Sequence, residues 1–422
     1  MKRKSNSRYA LYVLAGMVGI VQSSGLAQVS GASQPAETRE GGAGSGGLRG
    51  PAQRELIYVT LPGTLEGSWD ANGTGIVVLD ARNNYNFIKR IPTWNVPASR
   101  NPEQVAGVTA SPVTQMIYLA TRGRLGAIDL NTEKMVWENA YDGQCCERPQ
   151  ISPDGSFMYV GSDLKDFWYV VNPKTGELIT KVQSPLSPGA HNLNLSLDAK
   201  FAFMSPNGKV MGVADTSTHK LVKTMAFPDN IRVFVVNHDG SLIYANNNNL
   251  LGFVIADVKT SQILHKVEVH GFGWREKWNI TPRPRIPHGC PSHGIALTQD
   301  EKEVLLADGI NNCIHIFDNT KMPPKQIDSI KTTAGPYWIT IGIDGKLAYV
   351  SSGDIIDIKS RRIIGQMKDE YGRTMHSEKL LDMLFTNGKL TRVANQFGNG
   401  LGSGTTTESA SATRSKQAPA RQ

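Results

Sequence analysis

The apolar positions of this chain occur in short runs that are separated by glycine, proline and polar residues. Between residues 55 and 398 these runs are four to seven residues long and rich in Val, Ile, Tyr and Phe. No stretch keeps a helical period of 3.6 residues over three turns. Short β-branched and aromatic runs bounded by turn residues are typical of strands. The pattern therefore predicts an all-β protein.

The strand pattern repeats along the chain. Each repeat reads as an inner strand, a tight Asp-Gly-type turn, a second strand, a variable loop, a third strand ending in Asp or Asn, and an outer strand. Five repeats are clear, at 148–182, 191–225, 232–269, 293–330 and 337–367. Their turn aspartates at 154, 198, 239, 300 and 344 are spaced by 44, 41, 61 and 44 residues. Four antiparallel strands in about 40–45 residues are typical of a β-propeller blade.

Two further units complete the ring. Residues 105–140 form a degenerate sixth repeat, and residues 55–91 supply three strands that lack an inner one. Residues 376–389 supply an inner strand and a turn that have no blade of their own. Joining the two ends closes the sheet and leaves no open edge. The sequence thus predicts a seven-bladed β-propeller closed by N- and C-terminal strands that share one blade.

Specific segments carry a family resemblance. The segment SPDGSFMYV, the recurring VVN, VAD and IFD strand ends and the NPKTGELITKV turn resemble the YVTN-type repeats of exported bacterial β-propellers. They are also similar to the lactonase-like seven-bladed superfamily. The resemblance covers 55–398 and implies the fold. It leaves the activity open, because these propellers host solute binding, envelope roles, lactone hydrolysis and lyase chemistry, and no catalytic motif of the family can be placed residue by residue.

The two ends differ from the propeller in composition. Residues 1–27 show a basic start, an apolar run from Tyr9 to Val21, and Gly25 and Ala27 before a cut at Gln28, which is the pattern of a secretory signal peptide. A membrane anchor is the alternative, but the run is shorter than the ~20 residues that span a bilayer. Residues 28–54 read as a flexible linker and 399–422 as a disordered tail. We expect an exported protein, periplasmic or secreted, with no transmembrane segment.

Charge and cysteine content argue against two classes of protein, nucleic-acid binders and disulfide scaffolds. Removing the four basic residues of the signal segment lowers the formal charge from +8 to +4. Because the excess is small and no basic stripe interleaved with aromatic residues occurs outside the insert at 270–291, the sequence argues against nucleic acid as a partner. Four cysteines are too few for a disulfide scaffold. We expect a monomer that engages a small molecule or an envelope component.

The inner strands begin at the mouth of the central channel, where propellers bind ligands. Counting seven residues back from each turn aspartate gives a ring of five polar positions: Glu147, His191, Arg232, His293 and Tyr337. Arg148 and Trp338 follow two of them. In the closing strand His376, Glu378 and Lys379 compete for the equivalent place, and strict counting gives Leu380. We expect these residues to form a solvated rim that faces one axis.

Three interpretations of this ring remain open. A wet channel needs a polar rim in any case. Glu147, His191 and His293 could instead ligate a divalent metal, the only cofactor that the sequence suggests, because imidazole and carboxylate suit such ions. Alternatively, Arg232 could clamp an anionic ligand, and His191 or His293 could act as general base in a metal-free site.

Loops and cysteines gather at the same face. The longest spacing contains an insert, His270–Pro291, that we interpret as a lid bearing Trp274 and Trp278, and the loop at 61–74 should rise beside it. Cys145 and Cys146 precede the ring, and Cys290 ends the lid. Either Cys290 pairs with one of the other two, or the adjacent cysteines pair with each other. Cys313 lies in an apolar strand and should be buried.

Two function hypotheses follow. The first is an envelope-associated binding or scaffold protein that engages its ligand at the channel mouth. The alternative is a lactonase-like or lyase enzyme that uses the His/Glu/Arg ring, with or without a metal. Sequence motifs for serine hydrolases, zinc proteases, P-loop nucleotide binding and haem attachment do not occur in the chain, so whether the protein is an enzyme stays open.

Overall fold

Strand pairing defines the fold. The computed structural model describes residues 52–63, 72–94, 103–143, 145–162, 165–184, 189–274, 290–394 and 396–402. These residues contain seven antiparallel sheets, six of four strands and one of five. The sheets follow one another along the chain, and the first contains strands from both ends. The prediction of a seven-bladed β-propeller is confirmed.

The strands are numbered in chain order. Blade 1 contains β1 (Gln53–Leu61), β2 (Gly75–Asp80), β3 (Asn86–Ile91), β28 (Leu380–Thr386) and β29 (Lys389–Val393). Blade 2 contains β4 (Val105–Ser111), β5 (Met116–Thr121), β6 (Leu125–Asp129) and β7 (Met135–Asn139). A 3-10 turn at Tyr141–Gly143 follows. Blade 3 contains β8 (Glu147–Ile151), β9 (Met158–Gly161), β10 (Phe167–Val171) and β11 (Leu178–Gln183).

The remaining blades have four strands each. Blade 4 contains β12 (Ala190–Leu195), β13 (Phe201–Pro206), β14 (Val210–Asp215) and β15 (Lys220–Ala226). Blade 5 contains β16 (Ile231–Val236), β17 (Leu242–Asn247), β18 (Gly252–Asp257) and β19 (Gln262–Glu268). Blade 6 contains β20 (Ser292–Leu297), β21 (Glu303–Asp308), β22 (Cys313–Asp318) and β23 (Lys325–Lys331). Blade 7 contains β24 (Ile339–Ile341), β25 (Leu347–Val350), β26 (Asp354–Asp357) and β27 (Arg362–Gln366).

Burial follows the position of each strand in its blade. The inner strand β12 is buried at every residue, whereas the outer strand β15 alternates between more and less exposed positions. Inner and middle strands have a neighbouring blade on both faces, and an outer strand has solvent on one side. The apolar core lies between blades, as where Tyr58 and Val78 of blade 1 belong to the same cluster as Val108 and Leu119 of blade 2. Packing between sheets therefore holds the ring together.

Blade 1 closes the ring. Strand β28 pairs antiparallel with β1, with Ile57 opposite Asp382, so the predicted closure by terminal strands is confirmed. The structure adds a fifth strand that the repeat did not predict, β29, which pairs with the other edge of β28. Strand β1 begins two residues before the predicted start of the propeller at residue 55.

A segment at the C-terminal end crosses from blade to blade. We call residues 396–402 the C-terminal strap. The carbonyl of Gln396 accepts a hydrogen bond from Trp338 Nε1 at 2.9 Å, and that of Gly398 accepts one from Leu297 N at 2.8 Å. Gly400 N donates to the Val236 carbonyl at 3.0 Å. The first four residues of the predicted tail, 399–402, thus belong to the part of the chain that the structure describes.

Glycine is required at one point of the strap. Gly398 has a φ of 69°, and a Cβ at this position would lie 2.6 Å from Cβ of Ala296. A larger residue would therefore meet both backbone strain and a steric clash.

Among the described residues, no helix is long and apolar enough to cross a membrane.

Candidate functional site

The starts of the inner strands are irregular. Pairing shifts by a residue or more near the start of β4, β8, β12, β16 and β20. Bulges of this kind redirect side chains and are common next to functional sites. At the same positions the structure brings together charged and aromatic side chains of several blades. We call the following set the channel-mouth cluster: Glu147, Arg148, His191, Arg232, Trp338, Glu378 and Lys379.

Glu147 joins blades 3 and 4. Its Oε1 lies 3.1 Å from Nε2 of His191 and 3.6 Å from Nε of Arg148. Arg148 has a φ of 45°, in the left-handed region that a residue with a Cβ rarely adopts. Such conformations require surrounding structure to hold them and concentrate at functional sites.

The ring of Trp338 contacts side chains from two other parts of the chain. The guanidinium carbon of Arg148 lies 4.5 Å from the centre of its ring, and Lys379 Nζ lies 4.6 Å from it. Cations over an indole face are attracted by its quadrupole. Lys379 Nζ also donates to Oε2 of Glu378 at 3.3 Å. Residues of blades 3 and 7 and of the segment before β28 therefore meet at one indole ring.

The cluster is buried, so the prediction of a solvated rim is wrong. Glu147 is 5% exposed, Arg148 3% and Lys379 1%. The physical reason is the size of the side chains, since an indole with two stacked cations fills space that a ring of outward-facing polar residues would leave to water. The most accessible member is Arg232, which is half-buried.

Burial makes His191 neutral. Burial lowers its pKa, Glu147 opposes this shift, and the charges of Arg148 and Arg232 lower the pKa further. A neutral imidazole that donates Nε2–H to Glu147 keeps a lone pair on Nδ1. That Nδ1 is buried and has no hydrogen-bond partner among the described residues. His191 thus presents an unsatisfied acceptor.

The pKa of Lys379 is also lowered by burial and by a neighbouring positive charge. Burial lowers its pKa to about 8, the charge of Arg148 lowers it as well, and Glu378 and Glu147 oppose the shift. A buried ammonium beside a guanidinium loses part of its preference for the charged form. The cations of this cluster therefore repel one another despite the two carboxylates.

Arg232 has only neutral partners in the described part of the chain. Its Nε donates to Oδ1 of Asn248 at 2.7 Å, and its Nη1 to Oδ1 of Asn207 at 3.5 Å. No carboxylate that the structure describes lies within ion-pair distance of it. Asn192 Nδ2 donates to the Arg232 carbonyl at 3.1 Å, and Asn192 Oδ1 is buried without a hydrogen-bond partner in the same part of the chain.

The structure places His293 and Tyr337 together, beside the cluster. His293 is fully buried, and its Nδ1 lies 3.2 Å from the Tyr337 carbonyl. Burial raises the pKa of the Tyr337 hydroxyl, and Glu378 adds to this shift. Of the three residues that competed for the closing-strand position, Glu378 and Lys379 lie in the cluster. His376 is half-buried; burial lowers its pKa, and the charge of Asp354 opposes that shift.

The structure does not assemble the suggested metal site. The proposed ligands were Glu147, His191 and His293. Among the described residues, no group of three His, Cys, Asp or Glu side chains is placed to hold a metal ion. Glu147 Oε1 lies 3.1 Å from His191 Nε2, whereas His293 directs its Nδ1 to the Tyr337 carbonyl.

The cysteines take one of the predicted alternatives. Cys145 and Cys146 form a disulfide with each other, immediately before Glu147. Cys290 is a buried thiol whose Sγ–H donates to the Ser292 carbonyl at 2.7 Å. Burial raises the pKa of Cys290 to about 12, so it is not a reactive thiolate. Cys313 is buried as predicted.

The structure describes the two ends of the lid, residues 270–274 and 290–291. Phe272 and Trp274 pack against the apolar cluster of blades 5 and 6. The rest of the lid, residues 275–289, and the loop at 64–71 lie outside the described residues.

Three amide residues of the site, Asn192, Asn207 and Asn248, were not among the site residues predicted from the sequence. A signal was present, because the Arg232 repeat has a run of four asparagines at 246–249 in place of a Gly-containing loop.

Comparisons with known proteins establish no family. No protein-family model and no curated protein matches the chain. One solved structure to which it is similar is described as Kuenenia stuttgartiensis hydrazine synthase, with 16% sequence identity and a TM-score of 0.49. The match covers 73% of this chain and 91% of that chain. Since this likeness is too weak to support an argument, the fold is established by the strand pairing itself.

Proposed function

We propose that this chain is an exported, envelope-associated protein that binds a small anionic molecule at the mouth of its propeller channel. The supporting observation is Arg232, a half-buried guanidinium whose described hydrogen-bond partners are two neutral amide oxygens. A partly desolvated cation gains strongly from an anion, and arginine binds carboxylates through two parallel hydrogen bonds. The neighbouring cations Arg148 and Lys379 add to the positive potential.

Two acceptor atoms beside Arg232 restrict the chemical class of the ligand further. His191 Nδ1 and Asn192 Oδ1 are both buried and have no described hydrogen-bond partner. A buried acceptor without a donor is costly, and a ligand hydroxyl would remove that cost. The bulge at the start of β12 keeps these consecutive side chains from the strict alternation of a regular strand. The ligand that fits is a hydroxylated carboxylate.

Binding can be tested with three matched probes. Gluconate has a carboxylate and hydroxyls, hexanoate has the carboxylate on a chain of equal length, and sorbitol has the hydroxyls alone. We expect isothermal titration calorimetry to rank gluconate above hexanoate, with sorbitol weakest.

Variants identify the residues responsible. Arg232→Gln should weaken gluconate binding at least tenfold, because a charge-assisted hydrogen bond contributes about 1.5–3 kcal/mol. The surface variant Arg82→Gln serves as the control and should bind like the wild type. Equal affinity of the wild type and Arg232→Gln would reject the site.

The export proposal is supported by the basic start, apolar run and small residues of the segment 1–27. Expression of the full chain in a Gram-negative host should release a periplasmic protein whose N-terminal residue is Gln28. A cytoplasmic protein that retains its first residues would contradict it.

An enzymatic role is the second candidate. It is favoured by His191, whose neutral imidazole has an acceptor nitrogen at the proposed ligand site, as a general base requires. A lactonase-like enzyme would hydrolyse glucono-δ-lactone faster than buffer does, and His191→Asn would remove that rate. Binding of gluconate without lactone hydrolysis would support the binding function and contradict the enzymatic one. Metal analysis of the purified protein would test whether such hydrolysis uses a metal.

A further inference from the structure

A cavity lies toward the ends of the inner strands, away from their starts at the channel mouth. It has a volume of about 250 Å³. Its walls are the later residues of inner strands β4, β8, β12 and β16, together with the C-terminal strap. The strap contributes Gln396 and Phe397. This cavity shares no lining residue with the channel-mouth cluster.

The lining of this cavity contains no charged side chain. Each of the residues that line it in the described part of the chain is apolar, a hydroxyl residue, an amide, glycine or proline. A charged molecule would therefore lose its hydration without gaining a counter-ion, which is strongly unfavourable. The cavity thus selects uncharged ligands, unlike the channel mouth.

One buried acceptor in the wall has no partner. Gln396 is 4% exposed, and its Oε1 has no hydrogen bond to any described residue. Its backbone is fixed, because the Gln396 carbonyl accepts the hydrogen bond from Trp338 Nε1 at 2.9 Å. Since an unpaired buried acceptor is unfavourable, the site gains from a ligand with a hydrogen-bond donor.

The apolar part of the wall fits a flat ring. Phe397 packs edge-to-face against Trp338 with ring centroids 6.1 Å apart, so its position is fixed. Leu195 and Leu381 also line the cavity and are buried. Aromatic rings favour offset-stacked or edge-to-face contact with another ring. The volume is slightly below that of pockets for drug-sized ligands, which favours a single ring.

We propose that this cavity is a binding site for a small uncharged aromatic molecule whose hydroxyl or N–H donates to Gln396 Oε1. The site is separate from the anion site at the channel mouth and stands whether or not that site binds its ligand.

Three single-ring probes test the ligand chemistry. Phenol has the ring and a donor, anisole has the ring and no donor, and benzoate has the ring and a charge. We expect saturable phenol binding, anisole binding about tenfold weaker because Gln396 stays unpaired, and no benzoate binding. Methyl NMR of the wild type should place the phenol shifts on the lining residues Leu195, Val236 and Leu381.

Variants test the location. Leu197→Trp fills the cavity and should abolish phenol binding, while Leu178→Trp, at an exposed position of the outer strand β11, should not. Gln396→Leu should lower phenol affinity to that of anisole and leave anisole unchanged. Equal affinity for the three probes, or phenol shifts spread over the surface without saturation, would overturn the proposal, and so would a Gln396→Leu protein that binds phenol as well as the wild type.

Discussion

Asp382 lies in the closing strand β28 and gives the propeller a measurable pH dependence. Its side chain is fully buried, its Oδ2 accepts a hydrogen bond from Ile343 N at 2.9 Å, and its Oδ1 has no partner among the described residues. Burial, together with the charges of Glu55 and Asp344, raises the pKa of this carboxyl to about 8, although the hydrogen bond from Ile343 N and the charge of Arg392 oppose the shift. The folded protein therefore keeps Asp382 protonated at neutral pH.

The sign of the effect follows from proton linkage. In the unfolded chain an aspartate has a pKa of about 4. Between pH 4 and pH 8 the folded state thus binds one more proton at Asp382 than the unfolded state does. The stability from this group is fully present below pH 4 and is lost as the pH rises to 8, at about 1.4 kcal/mol per pH unit. Between pH 5 and pH 7.5 the loss amounts to about 3 kcal/mol.

Asp382→Asn tests this directly. An amide imitates the protonated carboxyl and does not titrate. We expect the advantage of the variant over the wild type in free energy of unfolding to grow by about 3 kcal/mol between pH 5 and pH 7.5, because only the wild type loses stability from this group over that range. Guanidinium denaturation followed by tryptophan fluorescence measures both values, and titrations shared by the two proteins cancel in the difference. The exposed Asp166→Asn serves as the control and should show a constant offset from the wild type. Parallel curves for the wild type and Asp382→Asn across this pH range would show that the pKa of Asp382 is not raised in the folded protein.

Three further predictions follow from the fold and the cluster. Truncation after Gln366 removes the closing strand and should abolish the sharp cooperative melt, whereas an unchanged calorimetric transition would mean that blade 1 does not close the ring. Alkylation of the denatured protein should add two labels before reduction and four after it, as counted by mass spectrometry, because two of the four cysteines form the disulfide. Four labels without reduction would disprove the pairing. His191→Ala removes a hydrogen-bond partner of the buried Glu147 and should lower the free energy of unfolding by about 1–3 kcal/mol. The control His238→Ala, at an exposed position, should change this free energy little. Equal stabilities of the two variants would show that the cluster is solvated.

The blades could be predicted from the sequence because each carries the same local signals. An Asp-Gly-type turn fixes the hairpin between the first two strands, and apolar runs of fixed spacing fix the rest. The closure of the ring could be predicted because the unit at 55–91 lacked an inner strand and the segment near 380 supplied one.

The channel could not be predicted to the same extent. Counting placed polar residues at the strand starts, but their burial depends on Trp338, whose ring lies against side chains from two other parts of the molecule. The strap and β29 were missed because short stretches such as KLTRV have no repeat to identify them. Contacts between residues far apart in the chain decide both features, and no local pattern encodes them.

A crystal structure of the protein soaked with gluconate would show whether the channel-mouth cluster binds an anion. We expect one gluconate at the channel mouth, with its carboxylate on the Arg232 guanidinium and a hydroxyl within hydrogen-bond distance of His191 Nδ1. An empty mouth at saturating gluconate, or gluconate bound only elsewhere, would contradict the proposal that the channel-mouth cluster is an anion-binding site.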